Sequence, residues 1–486
     1  KSNMYLLILP LLFCFNFHKV ESYGIFGLEN GMRFLIKDEE FSNAEYFGKR
    51  NETRWIRQPL DHFDENEKRA WKMRYFERLD LWEEGGPIFI CIGGEGTAGR
   101  YFLYRGVMSE LAQETNGAMY ITEHRYYGKS MPFRDLTTSN LKYLSSKQAL
   151  ADIAYLLENL KANNPHYKDS KVVVIGGSYA GNLAAWMRLL YPDLVFAAIA
   201  SSGPVLAKRD FYEYLEKVSD NYEYYGTDDC IDNINRIFKR YEKLFKTDEG
   251  IAKLKNEEYI CEENDLTIPV NRQLFFLDKI SEFMLRSQYG EPNDMKKHCE
   301  YLRNSTHIAS SIDEEPNFWN EKSECYSYDF DEMIEVYHQI NWVMSWTYQT
   351  CTEFGYYQTT TSKEQPFTNN VPIDIFNKLC TDLFGPEFDE ARIEQGIKET
   401  NELYGGLYPN VTNVIFPNGD MDPWSTLGVL EDLSYDAPAK VIPRASHCRD
   451  LFSNRKDDDE ELKEARSYIK YMIKKWLGVG EWFNKS

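Results

Sequence analysis

The sequence lacks the marks of several large protein classes. Its nine cysteines include no Cys-x-x-Cys pair, which leaves little basis for a structural zinc or a thioredoxin-type dithiol, and no metal site is expected. Basic clusters are missing too. The 77 Asp and Glu outweigh 56 Lys and Arg to give a formal net charge of -21, and because phosphate neutralisation needs grouped cations, no nucleic-acid partner is expected. Internal repeats and low-complexity tracts are absent. The one long apolar run, residues 5–17, is shorter than the roughly 20 residues a membrane-spanning helix needs. Histidine is scarce. With only eight, any chemistry that needs an imidazole has few places to occur.

What is present points to an exported, multi-domain protein. Hydrophobic residues make up 43% and aromatics 15% of 486 residues, enough for a sizeable core and two or three domains. Lys1 ahead of the apolar run, with polar Glu21 and Ser22 behind it, makes residues 1–22 an expected export signal, with Met4 read as its start. Destinations consistent with that are the cell exterior and the lysosomal or endosomal lumen. Cysteine usage agrees. Cys14 falls in the signal, Cys91 in an apolar strand and Cys448 beside a histidine, while the other six lie between Cys230 and Cys380. An even number confined to one segment of an exported chain reads as about three disulfides, whose pairing the spacing does not choose. Sequons at Asn51, Asn304 and Asn410, with a fourth at the near-terminal Asn484, permit glycosylation. A homodimer stays open.

The chain has three stretches of different character after the signal. Over 23–205, short apolar runs at 87–92, 118–122, 171–175 and 196–200 read as strands, with helical periodicity at 145–162 and 179–191 between them. Strand–helix–strand at this spacing means parallel crossovers and an α/β sheet. Residues 206–405 are rich in Tyr, Glu and Lys, mostly helical in period, and hold all six pairable cysteines: an inserted helical domain. Over 406–486 the sheet pattern resumes at 411–416 and 439–442, and an amphipathic helix follows at 459–477.

The strongest local signal is Gly176-Gly177-Ser178-Tyr179-Ala180-Gly181, between a strand and a helix. A nucleophile elbow belongs there, because a turn that thrusts a serine oxygen above a sheet edge needs tiny neighbours. Ala180 stands where glycine is usual. Ser130 in Gly128-Lys129-Ser130 is a rival without a helix behind it. A serine hydroxyl needs a base, and the order Ser, acid, His places both partners on loops after late strands. Past the helical segment His447 is the last histidine, just beyond 439–442, and Asn418-Gly419-Asp420-Met421-Asp422-Pro423-Trp424 follows 411–416. Asp420 and Asp422 compete for the acid. Asp422 is preferred, since Pro423 stiffens the loop and Trp424 could shield the carboxylate. The N–H of Tyr179 and one from Gly93-Gly94-Glu95-Gly96 are the expected oxyanion hole. Glycines after a strand also raise dinucleotide binding, but the cluster Gly93–Gly96 is read as not meeting G-x-G-x-x-G, and no cofactor is expected.

These residues resemble the prolyl carboxypeptidase and dipeptidyl peptidase II family of serine peptidases, with the thymus-specific branch the nearest match. The resemblance runs through Gln58-Pro59-Leu60-Asp61-His62-Phe63, Gly93–Gly96, Glu123-His124-Arg125-Tyr126-Tyr127-Gly128, Leu144 to Asp152, the elbow, Ala200-Ser201-Ser202-Gly203-Pro204, the Asp422 loop and the His447 loop. It implies an α/β-hydrolase fold, a mostly parallel sheet with flanking helices, carrying an inserted, disulfide-bonded helical cap over the active site. It also implies the triad Ser178, Asp422 and His447, an oxyanion hole from Tyr179 and Gly94, and a substrate pocket with Glu95, Asn182 and Trp424. The implied bridges are Cys230–Cys299, Cys261–Cys325 and Cys351–Cys380. The activity implied is an exopeptidase acting near proline on small peptides, as a carboxypeptidase or a dipeptidyl peptidase. Two departures bear on this: Asn182 where the prolyl carboxypeptidase branch has methionine, and Cys448 where it has a second histidine. A catalytically idle secreted binding protein and a lipase or esterase are the competing readings.

Overall fold

The computed structural model describes residues 52–308 and 325–479. The export signal at 1–22 and the sequons at Asn51 and Asn484 lie outside the described residues. Eight strands form one sheet in the order β1 (Thr53–Pro59), β2 (Ala70–Arg78), β4 (Ala118–Thr122), β3 (Ile88–Cys91), β5 (Val172–Gly177), β6 (Ala197–Ser201), β9 (Val414–Gly419) and β10 (Ala439–Ile442). From β4 to β10 every neighbouring pair is parallel; β2 joins β4, and β1 joins β2, antiparallel. This is an α/β-hydrolase fold, and the chain reaches β9 only after the long helical segment.

Alternation along the strands divides the core in two. Ile88, Ile90, Tyr120, Val172, Val174 and Ala198 face one side, where helices α2 (Ser146–Asn163) and α3 (Tyr179–Leu190) pack. Their sequence neighbours Phe89, Met119, Ile121, Val173, Ile175 and Ile199 face the other, with α1 (Gly106–Thr115) and the C-terminal helix Glu460–Leu477. Both faces are apolar, as a parallel sheet buried between helices requires. That is why these strands read as continuous hydrophobic runs.

Helices between Glu213 and Tyr404 supply the segment between the two sheet-forming stretches. Its aromatic interior is continuous with the α2/α3 side of the sheet, in one hydrophobic cluster. Disulfides join Cys230 to Cys299, Cys261 to Cys325 and Cys351 to Cys380, the pairing the family resemblance implied. A two-stranded parallel ribbon, β7 (Lys208–Asp210) with β8 (Gly355–Tyr357), ties the start of the segment to its later part.

Candidate active site

The turn from β5 into α3 is built for close approach. Ser178 has φ 59° and ψ -132°, a region costly for any residue with a Cβ and concentrated at functional sites. Crowding explains the small neighbours: a Cβ on Gly176 would lie 1.8 Å from the Ala180 carbonyl oxygen. At 180, by contrast, a methyl group fits, since the Ala180 Cβ sits 3.5 Å from where a Cβ on Gly94 would be. The same contact sets the Gly94 loop over the elbow. Gly94 to Gly99 does satisfy the spacing G-x-G-x-x-G, but the loop is turned to the nucleophile elbow and leads into a single helical turn, Tyr101–Tyr104. Ser178 itself is half-buried and lines a cavity that opens to solvent.

Asp422 and His447 meet each other, and no hydrogen bond joins His447 Nε2 to Ser178. His447 Nδ1 lies 2.7 Å from Asp422 Oδ2, and both side chains are buried. Asp422 Oδ1 accepts the Trp424 N–H at 3.0 Å, so both carboxylate oxygens are engaged. Asp420 is turned away: its backbone joins Ile442, and its Oδ1 is buried without a hydrogen-bond partner. His447 Nε2 is likewise buried and bonds to no protein atom. The turn carrying it abuts the elbow, because the Cys448 sulfur lies 2.9 Å from where a Cβ on Gly177 would be. His447 is not on the cavity wall, but Gln288 and Tyr289, which it touches, are. Burial works to lower the imidazole pKa. The Asp422 carboxylate, helped by the Cys448 sulfur, outweighs it and holds the imidazolium well above its ordinary range.

The helical segment grips both loops. The His447 N–H donates to the Gln288 carbonyl at 2.8 Å, and Asn221 Nδ2 donates to the Met421 carbonyl at 2.6 Å. A buried relay fixes Tyr179, the residue after Ser178. His124 Nδ1 lies on the Arg125 carbonyl at 2.7 Å, so Nδ1 must carry the proton and Nε2 accepts from the Tyr179 hydroxyl at 3.0 Å. That hydroxyl accepts from Gln349 Nε2 at 2.9 Å, and Gln349 Oε1 accepts from Tyr127 at 2.7 Å. Burial keeps His124 neutral by pushing its pKa down to about 4, as the direction of these bonds requires. Sequence reasoning missed His124, Tyr127 and Gln349 as site residues. The stretch Glu123–Gly128 was a motif without an assigned job, and Gln349 stands in an unremarkable helical stretch.

Of the residues expected in the substrate pocket, Glu95 and Trp424 are on the cavity wall and Asn182 is not. Asn182 is fully buried within α3, and its Nδ2 donates to the Pro204 carbonyl at 3.1 Å. It acts beneath the wall, holding Pro204, which does face the cavity. Trp424 is set among Phe211, Tyr214 and Tyr356 at ring-centroid distances of 5.4, 5.7 and 5.3 Å. Asn304 and Asn410 are exposed.

Strand order and elbow define the class: an α/β-hydrolase with a serine at the strand–helix turn. The family is narrower. Residues 58–469 match the model for serine carboxypeptidase S28, and the chain belongs to that family of serine peptidases. The thymus-specific serine protease of Mus musculus is 33% identical over 445 residues, 87% of this chain and 87% of the relative. The lysosomal Pro-X carboxypeptidase of Bos taurus is 29% identical over 451 residues, again 87% of each chain. Among solved structures, the proline iminopeptidase of Mycobacterium smegmatis aligns over 88% of this chain and 100% of its own, at 10% identity and a TM-score of 0.37. So low a score adds nothing to what the strand order gives. No helix among the described residues is long and apolar enough to cross a membrane.

Proposed function

We propose that the chain is an exopeptidase that hydrolyses peptide bonds near proline through an acyl-enzyme on Ser178. Ser178 Oγ attacks the carbonyl carbon while His447 Nε2 takes its proton. The N–H groups of Tyr179 and Gly94 receive the developing oxyanion; that of Tyr179 opens α3 and has no carbonyl one turn earlier to bond. His447 then gives the proton to the leaving amine, and water repeats the sequence to free the acid. Asp422 holds the ring with its proton on Nδ1 and stabilises the imidazolium. The helical segment, which we take as a cap over 206–405, supplies most of the cavity wall and restricts entry to chain ends. Aromatic faces around Trp424 suit a proline ring.

The observation that supports this reading is the buried Asp422–His447 pair whose outer nitrogen has no protein partner, on a turn that abuts the elbow where Ser178 is held in strained backbone. Three disulfides and exposed sequon asparagines support work in the lysosome or outside the cell. The test is Ser178→Ala, which should lower kcat by about 10⁶ and abolish covalent labelling by a fluorophosphonate. Turnover near the unsubstituted level would contradict the assignment.

A further inference from the structure

An exopeptidase must recognise a chain end, and the two ends carry opposite charges. The wall of the cavity that Ser178 lines has no lysine or arginine among the described residues; its one carboxyl side chain is Glu95. Much of the rest is aromatic or apolar: Tyr214, Tyr289, Trp346, Tyr356, Phe376 and Trp424. A substrate carboxylate drawn into this cavity would lose its water and meet a like charge, a cost not recovered without a cation. An ammonium meets the reverse. It gains a carboxylate partner and the negative faces of several rings, the usual combination for binding cations.

Glu95 is placed for that work. It is 8% exposed, and the one ionic group acting on it is His447. Burial pushes its carboxyl up to about 7, and an arriving ammonium favours the ionised form. Position sets the reach. Glu95 lines the same cavity as Ser178 and follows Gly94, where a Cβ would lie 3.5 Å from the Ala180 Cβ of the elbow, and neighbouring Cα atoms stand about 3.8 Å apart. An extended peptide advances about 3.4 Å per residue, so an amine at Glu95 lies one or two residues from a carbonyl over Ser178.

We propose that Glu95 receives the free α-ammonium of the substrate, so that this enzyme removes one or two residues from the amino end of peptides. The inference rests on the peptidase reading above and adds the end that is read. A short peptide with proline at position two is offered with a free and with an acetylated amino terminus, and products are identified by mass spectrometry. The free form is cleaved from its amino end, and acetylation lowers kcat/KM by about 30-fold or more, as loss of one partner of a buried charge pair does. Glu95→Gln lowers kcat/KM for the free peptide by a similar factor, chiefly through KM, and leaves little difference between the two forms. Thermal unfolding reports whether that variant folds; if it does not, the comparison of the two peptides on the unsubstituted enzyme decides alone. Ser178-dependent release of carboxy-terminal residues, or equal cleavage of the acetylated peptide, overturns the inference and leaves the peptidase reading intact. Absence of fluorophosphonate labelling at Ser178 overturns both.

Discussion

Replacing Asp422 with asparagine isolates the role of the acid without changing its shape. Asp422 Oδ1 accepts the Trp424 N–H and Oδ2 faces His447 Nδ1. In the variant the amide oxygen keeps the Trp424 bond, because the nitrogen cannot accept a hydrogen bond there. The amide NH₂ must therefore face Nδ1 and donate to it. That pins the imidazole proton on Nε2, the nitrogen that has to accept one from Ser178. Catalysis then depends on a rare tautomer and lacks a charge to stabilise the imidazolium, so kcat should fall by about 10⁴, or roughly 5 kcal/mol of transition-state stabilisation. Burial, no longer opposed by the carboxylate, should also draw the imidazole pKa down. A neutral ring is the active base, so the rising limb of residual activity should move to lower pH. Hydrolysis of a fluorogenic proline-containing amide from pH 4 to 9, with thermal unfolding as a check on folding, measures both effects. A loss below tenfold with an unmoved limb would refute the reasoning.

Further expectations concern the ring's neighbour, a desolvated acid and the elbow. Cys448→Ala removes a contribution that raises the His447 pKa, so the rising limb of kcat/KM should move to lower pH; a shift upward would contradict this. Glu353, half-buried where it accepts from Ser146 N and Oγ, has its carboxyl pushed up by desolvation to about 7 from 4.5. A raised acid contributes stability below its unfolded value that is lost as pH rises through the folded one. Glu353→Gln should therefore gain on the unsubstituted protein by up to about 3 kcal/mol between pH 4.5 and 8 in urea unfolding; a pH-independent difference would refute it. Gly176→Ala places a methyl 1.8 Å from the Ala180 carbonyl, and thermal unfolding should show a loss of about 3 kcal/mol or more.

Much of the sheet was legible because parallel strands buried on both faces are written as unbroken apolar runs. The strand pattern at 118–122 and 439–442 coincides with β4 and β10, while β5 and β9 run on to Gly177 and Gly419, where glycines hid the ends. The antiparallel strands β1 and β2 went unread. Arg54, Arg57, Lys72 and Arg74 interrupt them with charge; the first three lie on partly or fully exposed positions, and Arg74 is buried in an ion pair with Glu123. Among the candidate site residues, the placing of Ser178 at the strand–helix turn and of His447 against an acid was legible, since their chemistry fixes the order and the loops on which they stand. Asp422 was separable from Asp420 by Pro423 and Trp424. Asn182 was misjudged because a helix position one turn beyond a pocket-lining residue cannot be assigned to wall or interior without knowing which way the helix faces. The Tyr127–Gln349–Tyr179–His124 relay joins residues up to 222 apart in sequence, and nothing local marks such a contact.

The position of a trapped phosphonate tests the catalytic assignment most directly. A crystal structure of the fluorophosphonate adduct should place phosphorus on Ser178 Oγ, with His447 Nε2 within roughly 3 Å of the adduct. Its phosphonyl oxygen should lie roughly 2.7–3.1 Å from the N–H groups of Tyr179 and Gly94. An adduct on another residue, or an imidazole of His447 out of reach of it, would contradict the assignment.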